Sequence, residues 1–308
     1  MIAFFFVFLC GLVSAKNIGE AAETHHDAIE NHKATENHEA NENHVATENP
    51  EGTNFRKERQ QQFLDQQGAS KKNVNLSAKC WLASQISTPP PDGLVILTFD
   101  DGPHKTATPF ILKTLAETIQ GQKIPATFFN IARTAQTLMS LSQEVVAAGD
   151  LVGNHSWSHP SFHKLKRIDD QKKQIDLADL TLRSVISPER KFFRYPFGNS
   201  TCYANNYVHG LGYRIVGWHV DSCDWGFDNI IGQVSNLDSH ICEVSIKNRY
   251  NFVGHIVDSL VNHRGGILLM HEIHLRTISK LPEIIKELHQ RGFQFTNLDD
   301  PRFASSLR

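Results

Sequence analysis

From about Leu76 onward the chain predicts an α/β fold, a distorted (β/α) barrel of about seven parallel strands. Three observations carry that reading. Short apolar runs alternate with longer helical patterns to the end of the chain, as repeated βα units do. Glycine interrupts the pattern between elements, for example at Gly102, Gly121, Gly149 and Gly265. Clusters of Asp, His and Arg follow the apolar runs directly, and in such barrels function gathers at the strands' C-terminal ends.

The first strand is Leu94-Val95-Ile96-Leu97, running into Thr98-Phe99-Asp100-Asp101-Gly102-Pro103. Gly-Pro ends it and leaves two adjacent carboxylates at its C-terminal end. Neighbours on an extended backbone point different ways, so one carboxylate is expected to hold a metal and the other to face a substrate. A plain polar turn competes, because Asp, Gly and Pro favour turns. Pro109 opens a helix carrying Phe110, Ile111, Leu112, Leu115 and Ile119, which Gly121 ends. Ala126 to Ile131 reads as a buried strand. A helix through Val145 and Val146 stops at Gly149, before the strand Leu151-Val152-Gly153. Leu177, Leu180 and Ile186 mark another helix, and Lys191 to Pro196 and Tyr213 to Trp218 read as strands. A helix near Phe252 to Val261 leads through Gly265-Gly266 into Ile267-Leu268-Leu269-Met270. Leu281, Ile284, Ile285 and Leu288 line a last helix before the strand Phe293 to Asn297.

The N-terminal quarter is of another kind. Residues 1–15 form a short apolar stretch ending in Val13-Ser14-Ala15, which reads as a secretory signal peptide. It is too short to span a membrane, so no stable membrane insertion is expected. Residues 16–75 repeat Glu-Asn-His at a six-residue period, at Glu30, Glu36 and Glu42. Large apolar residues are nearly absent there, so a disordered, His-rich tail and linker is expected. Its histidines could hold a transition metal loosely. Residues 76–308 are then the globular domain, and the location is exported, periplasmic or secreted. Of five cysteines, Cys10 leaves with the leader. Cys80, Cys202, Cys223 and Cys242 remain, enough for two disulfides in any of three pairings. Formal net charge is -2, with 31 basic and 33 acidic residues. There is no basic stripe for a phosphate backbone, which argues against nucleic acid. Oligomeric state is not legible.

The chemistry-bearing residues fall at strand ends. After Leu151-Val152-Gly153 comes Asn154-His155-Ser156-Trp157-Ser158-His159-Pro160. Two imidazoles four apart can share one metal, and Pro160 makes the turn tight and irregular. With a carboxylate from another strand end they form a two-His, one-carboxylate site. Asp101, His155 and His159 are the expected ligands. Zinc suits that donor set, while Co, Ni, Fe or Mn also accept it. In Phe193-Arg194-Tyr195-Pro196-Phe197-Gly198, Arg194 can fork onto a carboxylate and hold it ionised. Asp224, beside Trp225, is a usable histidine partner, and His271 ends the strand Leu269-Met270 with an imidazole. Each of these has a plainer reading: a solvated arginine, a capping Asp, a structural histidine.

In this order the five segments resemble the polysaccharide deacetylases, carbohydrate esterase family 4, including the nodulation-type chitooligosaccharide deacetylases. The resemblance covers roughly Leu94 to Leu298 and implies the following. Asp101, His155 and His159 hold the metal. Asp100 is the general base, with Arg194 as its partner. The Phe197 backbone amide helps hold the oxyanion, and Trp225 and Leu269 wall a pocket for the acetyl methyl. His271 is the general acid, with Asp224 as its partner. Water activated at the metal attacks the acetamide, and the amine leaves protonated. Glu272 stands where Asp is common, and Phe197 where Tyr is common. The stretch Gly226 to Lys247 reads as an insertion near the site that a disulfide through Cys242 can pin.

The expected function is exported, metal-dependent N-deacetylation of an N-acetylated glycan, with peptidoglycan first because an export signal places the enzyme beside a wall. Chitooligosaccharide, poly-N-acetylglucosamine and acetylated xylan are alternatives on the same machinery. A glycan-binding barrel without catalysis and a metal-sequestering tail protein are rivals of a different class.

Overall fold

A computed structural model describes residues 86–308, apart from Thr118, Gln120 and Gly121. The leader, the His-rich repeat and Cys80 lie outside the described residues. Eight parallel strands form one curled sheet: β1 (Leu94–Gly102), β2 (Ala126–Asn130), β3 (Leu151–Asn154), β4 (Phe192–Phe193), β5 (Arg214–Ile215), β6 (Val220–Asp221), β7 (Gly266–His271) and β8 (Gln294–Thr296). Their order is β5-β4-β3-β2-β1-β7-β6, and β8 pairs with the start of β1. Among the described residues no pairing joins β5 to β6, so the barrel is open there. The main helices are α1 (Ala107–Ala116), α2 (Ala132–Thr137), α3 (Met139–Ala147), α4 (Ile168–Leu182), α5 (Cys202–Gly210), α6 (Asp224–Phe227), α7 (Asn236–Ile241), α8 (Phe252–His263) and α9 (Leu275–Gln290). Among the described residues no helix is long and apolar enough to cross a membrane.

β1 is the axis of the sheet, and all nine of its residues are buried. It pairs with β7 along one edge from Val95 to Asp100. On the other edge β8 takes Leu94–Ile96 and β2 takes over from Leu97. The two-residue period then sorts its side chains. Val95, Leu97 and Phe99 join the large core under the helices, whereas Leu94 and Ile96 join a smaller core inside the barrel with Phe129, Phe192 and Ile267. Thr98 and Asp100 continue that inner face.

The sequence reading needs four corrections. The strand expected over Lys191 to Pro196 shrinks to Phe192–Phe193, because the segment turns at Tyr195 into a 3-10 turn, Pro196–Gly198. The strand expected over Tyr213 to Trp218 shrinks to β5, Arg214–Ile215, and a separate strand, β6, follows at Val220–Asp221. Leu180 is 55% exposed and α4 ends before Ile186; its buried stripe is Gln171, Ile175, Ala178 and Leu182. α1 ends at Ala116, short of Gly121, and its Phe110 is 43% exposed.

Entry into β7 depends on Gly265. Its φ is +138°, and a Cβ there would lie 2.4 Å from the Leu94 carbonyl oxygen. Backbone cannot swing aside as a side-chain tip can. Gly265→Ala is expected to destabilise the protein by about 1–3 kcal/mol, read as a lower urea midpoint with an unchanged slope.

Candidate active site

The inner face of the barrel carries the site by parity. Counting by twos, Arg194 follows Phe192, and Leu269 and His271 follow Ile267, each from a residue of the inner core. At the C-terminal mouth these side chains meet Asp100 and His155.

The acidic pair does not divide as an extended strand would have it. The β1–β2 register slips between Asp100 and Gly102, leaving Asp101 in a bulge with φ of 72°. A bulge re-aims a side chain. Both carboxylates therefore converge on His155 Nε2, Asp100 Oδ2 at 3.6 Å and Asp101 Oδ1 at 3.5 Å. His159 Nε2 lies 3.1 Å from the same Asp101 oxygen. His155 and His159 come from an irregular loop, with Ser156 and His159 at positive φ.

Asp101, His155 and His159 thus offer one donor atom each, all within 4.8 Å of one another. Bonds of 2.0–2.2 Å at tetrahedral angles put donor atoms about 3.3 Å apart, so the spacing fits one metal ion. The protonation states fit as well. His155 Nδ1 sits 2.8 Å from the Arg194 carbonyl. A carbonyl only accepts, so Nδ1 carries a proton, and Nε2 is the ring nitrogen that faces the carboxylates. Burial pulls His159 down to about 4, leaving it neutral near pH 7. Burial works against Asp101, but the neighbouring His159, the His155 contact and the His271 charge outweigh it and hold its carboxyl well below the usual range.

Arg194 is completely buried. It donates to Asp100 Oδ1 at 2.8 Å, Thr98 Oγ1 at 2.8 Å and the Gly217 carbonyl at 3.0 Å. Its guanidinium lies 4.2 Å from the centre of the Phe129 ring. The solvated-arginine reading is therefore excluded.

Across the mouth, His271 Nδ1 donates to Asp224 Oδ1 at 2.8 Å. Burial alone would lower His271, but the Asp224 carboxylate raises it to about 9. Asp224 stays ionised, near 2, because His271 offsets its desolvation. Asp224 with His271 and His274 is a second compact donor group. Asp224 already accepts four hydrogen bonds, from His271 N and Nδ1, Trp225 N and Thr277 Oγ1. That fills a carboxylate's capacity. Glu272, next to His271, is buried, accepts from the Thr108 hydroxyl and is pushed up to about 8 by burial. Its carboxyl occupies the space where a Cβ on Gly102 would be, so any larger residue there would have to displace it.

Between the two halves lies a narrow cleft lined by Asp100, His155, Phe197, Trp218, Leu269 and His271. Leu269 is part of that lining. Trp218, which the sequence reading did not single out, lines the cavity; Trp225 is outside the lining set, buried in the outer core beside Cys223. Phe197 has φ of 58°, and its ring packs edge-on against His159 at 4.6 Å. Thr98 and Thr277 were also missed, since a lone threonine carries no sequence signal. The Gly226–Lys247 stretch is pinned: Cys223, one residue before Asp224, is bonded to Cys242. Cys202 is also disulfide-bonded. A larger hollow of about 480 Å³ beside Val146, Leu151 and Ile186 has no histidine in its lining.

Such a barrel mouth has the make-up of a metallohydrolase site, and comparison with known proteins gives the family. Residues 87–216 match the polysaccharide deacetylase family model. A chitooligosaccharide deacetylase of Sinorhizobium fredii is 31% identical over 66% of this chain and 89% of its own. A peptidoglycan-N-acetylglucosamine deacetylase of Bacillus cereus is 28% identical over 66% of each. Among solved structures, a family 4 carbohydrate esterase from Streptomyces lividans in complex with acetate superposes with a TM-score of 0.51 at 26% identity. It covers 67% of this chain and 91% of that one. The chain belongs to the polysaccharide deacetylases, the hydrolases of carbohydrate esterase family 4, a metal-dependent group.

Removing Arg194 would strand the buried Asp100 charge. Arg194→Met is expected to lower stability by roughly 3–5 kcal/mol, and adding Asp100→Asn to recover part of it. Urea unfolding of the single and double variants measures both.

Proposed function

We propose that this chain is an exported N-deacetylase that releases acetate from N-acetylated glucosamine units of a glycan. The observation that carries the reading is the pairing across one small cavity: a carboxylate held by a buried arginine faces an imidazole held by a buried carboxylate. Asp101, His155 and His159 would hold a divalent metal, zinc on donor type. When bound, that metal supplies a Lewis acid that polarises the acetyl carbonyl and acidifies water. Asp100 takes a proton from the attacking water, aimed by the Arg194 hydrogen bond to its Oδ1. The Phe197 amide is the proposed donor to the developing oxyanion. Leu269 and Trp218 enclose the acetyl methyl, with Trp225 buried behind the acid pair. His271, its Nδ1 proton held by Asp224, gives the Nε2 proton to the departing amine.

The proposal extends to the rest of the chain. Residues 1–15 serve as an export leader, 16–75 as a solvated tail, and 76–308 as the catalytic domain. An export leader favours peptidoglycan. Chitooligosaccharides are the second candidate, supported by relatives so named at 29% and 31% identity.

Acetate release from peptidoglycan, chitooligosaccharides and acetylated xylan tests this directly. The wild type should act on the N-acetylated glucosamine polymers. Asp100→Asn should abolish release with bound metal near wild type, whereas His155→Ala should lose metal and activity together. An Asp100→Asn enzyme that kept most of its activity, or xylan as the best substrate, would refute the reading.

His271 is protonated below about 9 and loses that proton as pH rises through it. The rate should therefore fall on the basic side near pH 9. In Asp224→Asn the raising charge is gone, and that limb should move toward the ordinary 6.5. A pH–rate profile of both enzymes checks it.

A further inference from the structure

We propose that Thr277 is a positioning residue for the general acid, acting through Asp224. The inference rests on His271 being that acid.

Thr277 is fully buried in the first turn of α9. A threonine inside a helix commonly turns its hydroxyl back to a carbonyl of the preceding turn. This one reaches 53 residues away in sequence and donates to Asp224 Oδ2 at 2.5 Å, a length typical of a hydroxyl on a charged carboxylate. The other donors to Asp224 come from near its own backbone or from His271. Trp225 N, its chain neighbour, reaches Oδ1 at 2.9 Å. His271 N reaches Oδ2 at 2.6 Å, and His271 Nδ1 reaches Oδ1 at 2.8 Å. Thr277 is thus the one of these four donors that belongs neither to Asp224's own helix nor to His271, and it fixes the carboxylate's rotation against α9. The plane of the carboxylate sets the direction of the His271 Nδ1 bond. The ring direction sets where Nε2 delivers its proton.

A packing role for Thr277 predicts something different. Loosened packing slows every substrate alike. A misaimed acid slows only the substrate whose leaving group needs a proton. An amine leaving from an acetamide needs one, and a nitrophenolate leaving from an aryl acetate does not.

The experiment compares Thr277→Val, Thr277→Ser and His271→Gln on two substrates: the N-acetylated glycan that the wild type turns over fastest, and 4-nitrophenyl acetate. Thr277→Val should lower kcat on the glycan roughly 10- to 100-fold, part of the 10²–10⁴ that general acid catalysis contributes. KM and bound metal should be unchanged, and the ester rate should stay within about twofold. Thr277→Ser keeps the hydroxyl and should restore the glycan rate. The ratio of the two rates does not depend on how much of a variant is folded, and Thr277→Ala can be read the same way. An unchanged ratio in Thr277→Val, or a serine variant as slow as the valine one, overturns the inference. If His271→Gln slows glycan and ester equally, the acid assignment itself fails, an outcome distinct from failure of the Thr277 link.

Discussion

The mouth of the barrel depends on one buried ion pair, Arg194 with Asp100. A guanidinium with no exposure has lost its hydration, and only a full set of acceptors makes that tolerable. The acceptors come from distant parts of the chain: Thr98 and Asp100 on β1, and the carbonyls of Val216 and Gly217 beyond β5. The cation also stacks on Phe129 of β2. One side chain therefore ties the ends of three strands and a loop to a single geometry. Because β1 pairs with β7 in a register that sets Asp100 beside His271, that geometry also fixes the distance across the cavity.

Around this pair the backbone is bent in ways few residues accept. Of seven non-glycine residues with positive φ among the described residues, five are at the mouth: Asp101, Ser156, His159, Phe197 and Cys223. Such conformations persist only where the surroundings over-determine them. The bulge at Asp101, the irregular His155–His159 loop and the turn at Phe197 each point a group inward that a regular element would point elsewhere. The proposed metal side of the site is built from that strain.

The proposed acid side is built differently. There a short helix, α6, starts at Asp224, with the Cys223–Cys242 bond just before it and α9 against it. Four donors hold Asp224 charged and aimed, and that charge favours the protonated form of His271. This half is anchored by hydrogen bonds and a covalent link, and the other half by a buried charge. The cavity lies where they meet.

Much of this was legible in the chain itself. The apolar runs Leu94–Leu97 and Ile267–Met270 declare central buried strands, because burial on both faces demands unbroken apolar residues. Asp100, Asp101, His155, His159, Arg194, Asp224 and His271 stand out because polar groups at the ends of such runs must either reach water or find one another. What the sequence determined alone was the alternation of elements and the identity of these groups, both consequences of local patterning. Only the tertiary structure decided that Asp101 turns in beside Asp100, that Trp218 and not Trp225 lines the cavity, and that Thr277 reaches Asp224. It also decided that β4, β5 and β6 are two-residue strands. Those outcomes depend on contacts between residues such as Thr98 and Arg194, 96 positions apart, and no period within one segment encodes a contact of that length.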